Sequence, residues 1–227
     1  MTPFSVPLLN NIFRRVFRPV FRMLFHILGE VEIIGRENVP KRVPYIITMN
    51  HVSVYEAPFL TAFWPVPPEV AGAIEIWSTP GQGILARLYR GIPVHRGEFD
   101  RQLLDTTIAV LKSGRPLLLA PEGGRSHSAG MRRAFPGVAY IVDKTRVPVI
   151  PVGIAGTTED YFHRAIHLQR PRLEMRIGKP FTLPPVEGKG AERRVALQAN
   201  ADQIMCLIAA LVPVEYRGVY QASSEAE

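Results

Sequence analysis

Tyr45-Ile46-Ile47-Thr48-Met49, running straight into Asn50-His51, is the stretch that decides the fold. A short apolar run of this kind reads as a strand, and the polar pair marks where it ends. Leu117-Leu118-Leu119-Ala120 and the run from Val147 to Ile154 read as two more buried strands. Val31 to Gly35, Val70 to Ile76, Ile92 to His95 and Leu173 to Ile177 add shorter ones. Helical patterns alternate with them at Gly81 to Tyr89, Phe99 to Ser113, Gly137 to Lys144 and Ala191 to Leu211. In the second of these, Leu103, Leu104, Thr107, Ile108 and Leu111 share one face, Asp100 lies in the first turn and Gly114 ends the helix. Strands separated by helices imply an α/β chain with a mixed, largely parallel sheet flanked by helices. Ligands gather at the carboxyl ends of the strands in such sheets.

Two polar segments fall at those ends. Asn50-His51 follows one strand, with Glu56 five residues on, and Pro121-Glu122-Gly123-Gly124-Arg125-Ser126 follows another. An imidazole beside a carboxylate can act as a general base. On one continuous helix, residues five apart point ~140° away from each other at 3.6 residues per turn. His51 therefore has to precede a helix, and Ser53-Val54-Tyr55-Glu56 has the form of a capping box starting one at Ser53. The same box offers a purely structural use for Glu56. Gly123-Gly124 permits close backbone approach to a ligand, and Arg125 is suited to bidentate phosphate recognition. Gly91-Ile92-Pro93-Val94-His95-Arg96 adds another cation at a strand end.

Other motifs carry less. Gly81-Gln82-Gly83-Ile84-Leu85-Ala86 matches a relaxed dinucleotide fingerprint, but Ser78-Thr79-Pro80 separates it from the preceding strand. His163 and His167 stand four apart without an evident third ligand, so no metal is expected. The single cysteine, Cys206, rules out an internal disulfide and lies in an apolar helical run as a packed thiol.

The 227 residues suit one domain and carry a formal net charge of +7. That excess points to an anionic partner. Residues 13–28 repeat every four, so on a helix Phe13, Phe17, Phe21 and Phe25 form a stripe beside a ridge of Arg14, Arg18 and Arg22. This pattern reads as a helix lying in a bilayer interface. Its arginines argue against a membrane span, and their alternation with Phe, Val and Leu argues against nucleic acid. Pro19 is expected to kink or divide it. The expected organisation is a membrane-associating segment at 1–29, a catalytic domain at 30–218 and a flexible tail at 219–227.

Taken in order, these blocks resemble the lysophosphatidic acid acyltransferase (PlsC-type) family. Asn50-His51-x-x-x-x-Glu56 is similar to its first block, Gly91 to Arg96 to its second, Pro121 to Ser126 to its third and Val149-Ile150-Pro151-Val152 to its fourth. The lead-in Ile34 to Pro40 also resembles the family's opening strand and turn. The resemblance implies the glycerophospholipid acyltransferase fold and transfer of a fatty acyl group from acyl-CoA or acyl-carrier protein to a lysophospholipid hydroxyl, with no further cofactor. It implies His51 as general base, Glu56 as its orienting acid, and Arg96, Glu122, Gly123, Gly124, Arg125 and Ser126 as acceptor-binding residues. The single cysteine and the basic amphipathic helix give the expectation of a peripheral protein on the cytoplasmic face of the cell membrane.

Three positions depart from the family pattern. Glu56 stands where Asp is usual, Val94-His95 where Ile-Asp is usual, and Phe135-Pro136-Gly137 replaces a stretch that often carries Lys, leaving Arg132 and Arg133 as substitutes. Acylation of another acceptor (a lipid A precursor, glycolipid or ornithine lipid) and a non-catalytic anionic-membrane-binding protein remain the alternatives.

Overall fold

The computed structural model describes residues 4–95, 100–126 and 130–221. Seven strands form one sheet: β1 (Glu30–Ile34), β2 (Ile46–Met49), β3 (Glu69–Ala73), β4 (Ile92–Val94), β5 (Leu117–Leu119), β6 (Val149–Ala155) and β7 (Arg172–Ile177). Their order is β1-β7-β6-β2-β5-β3-β4. Every neighbouring pair is parallel except β6 and β7. The mixed, largely parallel sheet read from the alternation of runs is therefore the one that forms.

Successive side chains leave a strand on opposite faces, and the three central strands supply two cores in this way. Ile46, Leu117 and Val149 enter one core with α4 (Arg101–Lys112), α5 (Gly137–Thr145) and α7 (Gly190–Ala209). Ile47, Leu118 and Ile150 enter the other with α1 (Leu8–Leu28), α2 (Glu56–Phe63) and α6 (Tyr161–Ile166). The remaining helix, α3 (Gln82–Tyr89), lies against α1. All of β2 is buried, as a strand covered on both faces must be.

Several boundaries differ from expectation. The strand expected from Val70 to Ile76 stops at Ala73 and turns into a 3-10 helix, Ile74–Ser78. Asp100 is the N-cap of α4, accepting from the Leu103 N–H at 2.9 Å, which places it one position before the first turn. The 3-10 helix separates the Gly81-Gln82-Gly83 turn from β3, and a Cβ at Gly83 would lie 2.4 Å from the Trp77 carbonyl. That glycine serves packing.

The N-terminal helix requires the main correction. α1 is continuous through Pro19 over 21 residues, roughly 32 Å at helical rise. The face expected to meet a bilayer is turned inward. Phe17 and Phe25 are buried, packing on Tyr89 and on Phe59 with Tyr161, respectively. Phe13 and Phe21 are half-buried beside them.

Arg14 is 1% exposed and grips Glu69 through two 2.7 Å hydrogen bonds, while also donating to the Tyr89 carbonyl. Arg115 donates to the same carboxylate at 2.7 Å. Arg18 donates to the Trp64 and Pro65 carbonyls, and Arg22 to the Ala62 carbonyl at 2.6 Å, satisfying acceptors at the carboxyl end of α2. The ridge turns inward because it meets a buried carboxylate and a helix end that need cations. What α1 leaves outside is mainly apolar, Leu8, Leu9, Ile12, Val16, Val20, Met23, Leu24 and Ile27 being between 39% and 80% exposed, with Arg15 and His26 exposed among them. Among the described residues no helix is long and apolar enough to cross a membrane.

A flexible tail was expected over 219–227, yet Val219 and Tyr220 belong to a 3-10 turn, Gly218–Tyr220. Tyr220 is buried, its hydroxyl accepting from the Ala134 N–H at 2.9 Å and donating to Asp202 at 2.7 Å. Residues 222–227 of that expected tail lie outside the described residues.

Candidate active site

β2 ends at Met49, and the next two residues part company. Asn50 turns inward, fully buried, donating to the Ile154 carbonyl at 2.9 Å and accepting from the Ile154 N–H at 2.8 Å. Its amide continues the β2–β6 ladder where the backbone leaves it. His51 turns to the surface, 18% exposed at its side chain. Residues 51–55 form a bend, and α2 starts only at Glu56. That bend brings together two residues a continuous helix would separate. His51 Nδ1 lies 2.8 Å from Glu56 Oε2. A carboxylate only accepts, so Nδ1 carries the proton and Nε2 is left with a free lone pair.

Glu56 is 0% exposed and surrounded by donors. The Ser53 N–H reaches both oxygens at 2.9 and 3.0 Å, and the Ser53 hydroxyl and Thr157 hydroxyl each donate to Oε1 at 3.0 Å. Half of the expected capping box is therefore real: Glu56 reaches back to the Ser53 N–H. The Ser53 hydroxyl instead accepts from Tyr55, so the helix starts three residues later than expected. The structural and chemical uses of Glu56 coexist, one oxygen facing the imidazole.

The loop after β5 is stitched to this bend. Glu122, 0% exposed, accepts the His51 N–H at 2.8 Å through one oxygen and the Arg132 N–H at 2.7 Å through the other. The Ser126 N–H donates to the His51 carbonyl at 2.9 Å. Glu122 was expected to contact an acceptor; both its oxygens are instead occupied by backbone donors within the protein. Burial pushes its carboxyl up to about 7, outweighing the Arg132 and His51 N–H groups and the His51 charge that pull the other way.

Gly123 is exposed, and a Cβ there would meet the Phe135 ring at 2.8 Å. The close approach this glycine permits is thus to Phe135. Gly124 and Ser126 are buried, with Ser126 Oγ donating to the Gly130 carbonyl at 2.7 Å. Arg125 is exposed, and Arg132 Nη1 donates to its carbonyl at 3.2 Å, bringing two cations to one rim. Arg133 turns away, 3.7 Å from Asp202. β4 is parallel to β3 and ends on the same sheet edge, but Arg96 lies outside the described residues.

Sequence reasoning missed Thr157 and Tyr216. Thr157 follows the carboxyl end of β6, a position the strand-end rule favours, yet it belongs to no motif. Tyr216 accepts the Gly156 N–H on its hydroxyl at 3.0 Å and the Met131 N–H on its carbonyl at 2.9 Å. No local signal announces a contact made from so far along the chain.

The His163 and His167 rings lie 4.3 Å apart, tilted by 36°, and His167 Nδ1 donates to the His163 carbonyl at 2.7 Å. Among the described residues no group of three or more His, Cys, Asp or Glu side chains could hold a metal ion.

Comparison with known proteins follows this geometry. A family model described as Acyltransferase matches residues 30–155, more than half of the chain. The 1-acyl-sn-glycerol-3-phosphate acyltransferase of Pseudomonas aeruginosa is 26% identical over 191 residues, covering 82% of this chain and 72% of that protein. The Caenorhabditis elegans protein acl-1, assigned to the same activity by its name, is 24% identical over 135 residues, 58% of this chain. The chain spans about half of that relative's length, at 52%. The crystal structure of PlsC, the 1-acyl-sn-glycerophosphate (LPA) acyltransferase of Thermotoga maritima, shares the fold. It aligns with a TM-score of 0.57 and 23% identity over 86% of this chain and 78% of that one.

Proposed function

The chain belongs to the acyltransferase family, and from that premise we propose that it moves a fatty acyl group from acyl-CoA or acyl-carrier protein to the hydroxyl of lysophosphatidic acid, giving phosphatidic acid. The observation that carries this reading is the 2.8 Å pairing of His51 Nδ1 with a carboxylate whose every partner is a donor. Such a pairing fixes the tautomer and leaves Nε2 to remove a proton, with the hydroxyl supplied by the substrate.

In the proposed reaction the acceptor hydroxyl gives its proton to His51 Nε2 as its oxygen bonds to the thioester carbonyl carbon. Collapse of the tetrahedral intermediate breaks the C–S bond, and the departing thiolate takes the proton back from the imidazolium. Arg125 and Arg132, with Arg96 from the second block, hold the acceptor phosphate. Glu122 acts indirectly, fixing the backbone on which His51 rides. The two named 1-acyl-sn-glycerol-3-phosphate acyltransferases support the choice of acceptor. The catalytic unit spans 30–218, and association with the cytoplasmic face of the cell membrane runs through α1, by its exposed aliphatic stripe.

Thiol release from palmitoyl-CoA, with and without lysophosphatidic acid, tests the reading. Acceptor-dependent release should fall by at least about 1,000-fold in His51→Ala, the scale of removing a base from a concerted unit, with the melting temperature unchanged. Full release in that variant would remove His51 from the mechanism. Release with a glycolipid or ornithine lipid acceptor but none with lysophosphatidic acid would replace the acceptor.

A further inference from the structure

A glutamate orienting an imidazole has one more rotatable bond than an aspartate, so its carboxylate has to be held from more than one side to stay aimed. In this chain the local anchor is Ser53, which belongs to the same bend as His51 and would move with it. The remaining anchor comes from 101 residues along the chain. Thr157, 0% exposed, donates its hydroxyl proton to Glu56 Oε1 at 3.0 Å.

Its placement is built in. β6 pairs with β2 in register, Val152 opposite Met49, so the end of β6 is fixed relative to the strand that delivers His51. Gly156 then turns the chain with φ of +86°, where a Cβ would sit 1.9 Å from the Arg172 carbonyl oxygen, and its N–H is held by Tyr216. Only glycine fits that turn, which delivers the next side chain to Glu56. A threonine hydroxyl has one proton to give, and here it goes to this carboxylate.

We propose that Thr157 is a positioning residue: it ties Glu56 to the sheet and thereby holds the His51 imidazole in the orientation that turnover needs. The inference rests on the assignment of His51 as base, but its hydrogen-bond consequence is independent of any substrate. Thr157→Val conserves shape and removes the donor. The expected result is a kcat for acyl transfer lowered about tenfold, the scale of one lost hydrogen bond to a charged group. Donor and acceptor KM should stay within about twofold, as befits a group acting only on the transition state. Thr157→Ser restores the hydroxyl and should return most of kcat. In a Glu56→Ala background, which removes the acceptor, Thr157→Val should add no further loss, because the two act through one contact.

A readout without substrate accompanies these. The Nδ1–H proton of His51, identified by its disappearance in His51→Ala, should give a downfield NMR signal in the wild type and Thr157→Ser and a broadened or lost one in Thr157→Val. If Thr157→Val does not fold, Thr157→Ala tests the same loss. Wild-type kcat together with an unchanged Nδ1–H signal in the folded variant overturns the inference. So does a Thr157→Ser variant as slow as Thr157→Val, which would make the methyl contact the important one. Retained turnover in His51→Ala would instead fail the assignment of the base, whatever Thr157 does.

Discussion

At the scale of single residues, the site is organised by polar side chains turned away from solvent. Glu122 has an ordinary carboxyl exchanged for a buried one held between two backbone N–H groups, with its folded value raised to about 7. A carboxyl raised in this way is protonated more readily in the folded chain than in the unfolded one. Its stabilising contribution is complete below the unfolded value near 4.5 and is lost as pH rises through about 7. Thermal melting between pH 4.5 and 8 should therefore fall more steeply in the wild type than in Glu122→Gln, by up to roughly 3 kcal/mol across the window. Parallel curves would show that the N–H donors, and not burial, govern this carboxyl. Asn50 works in the same spirit without a charge, both ends of its amide pinned to Ile154. The motif residues were legible in the sequence by position, but their partners were not. Asn50, His51 and Glu56 announce themselves by spacing; Thr157 and Tyr216 act only after the sheet has assembled.

At the scale of elements, α1 explains why amphipathicity alone misleads. Its sequence carries two apolar surfaces, one aromatic and bordered by arginine, one mainly aliphatic and interrupted by Arg15 and His26. Periodicity locates both and ranks neither. The ranking comes from Glu69 and from the carbonyls at the end of α2, tertiary features that claim the arginines and draw the phenylalanines in with them. Two substitutions one residue apart should accordingly have opposite consequences. Phe17→Ala empties a buried aromatic site and should cost about 3–5 kcal/mol of stability. Val16→Asp lies on the exposed face and should leave the unfolding midpoint within about 0.5 kcal/mol of the wild type. If α1 docks on bilayers through that face, Val16→Asp should weaken sedimentation with anionic vesicles several-fold. Vesicle binding untouched by Val16→Asp would move membrane association elsewhere. The strands were easier to read than this helix, because a β run buried on both faces has no orientation to misjudge. The strand read through to Ile76 overran by three residues because nothing local distinguishes the 3-10 turn after Ala73.

At the scale of the whole molecule, parallel pairing brings the carboxyl ends of β2, β3, β4, β5 and β6 to one edge, and the candidate site is distributed along it. The chain then returns to this edge from its far end. Tyr216 holds Met131 and Gly156, Val219 donates to the Met131 carbonyl at 3.2 Å, and Tyr220 holds Ala134. Removing residues 214–227 should leave the helix and strand content nearly intact while exposing 130–134 to rapid amide exchange and lowering turnover at least about tenfold, since several hydrogen bonds of ~1 kcal/mol each are lost together. Wild-type exchange protection in that truncation would show the contacts to be dispensable.

The stitching of His51 by both its N–H and its carbonyl carries one more consequence. The bend after β2 and the loop after β5 share a backbone seam, so neither has a shape of its own to pass on. A chimera that takes one of them from a relative inherits half of a mated pair. A transplant of either segment therefore has to carry the other with it, together with the C-terminal turns that clasp the pair.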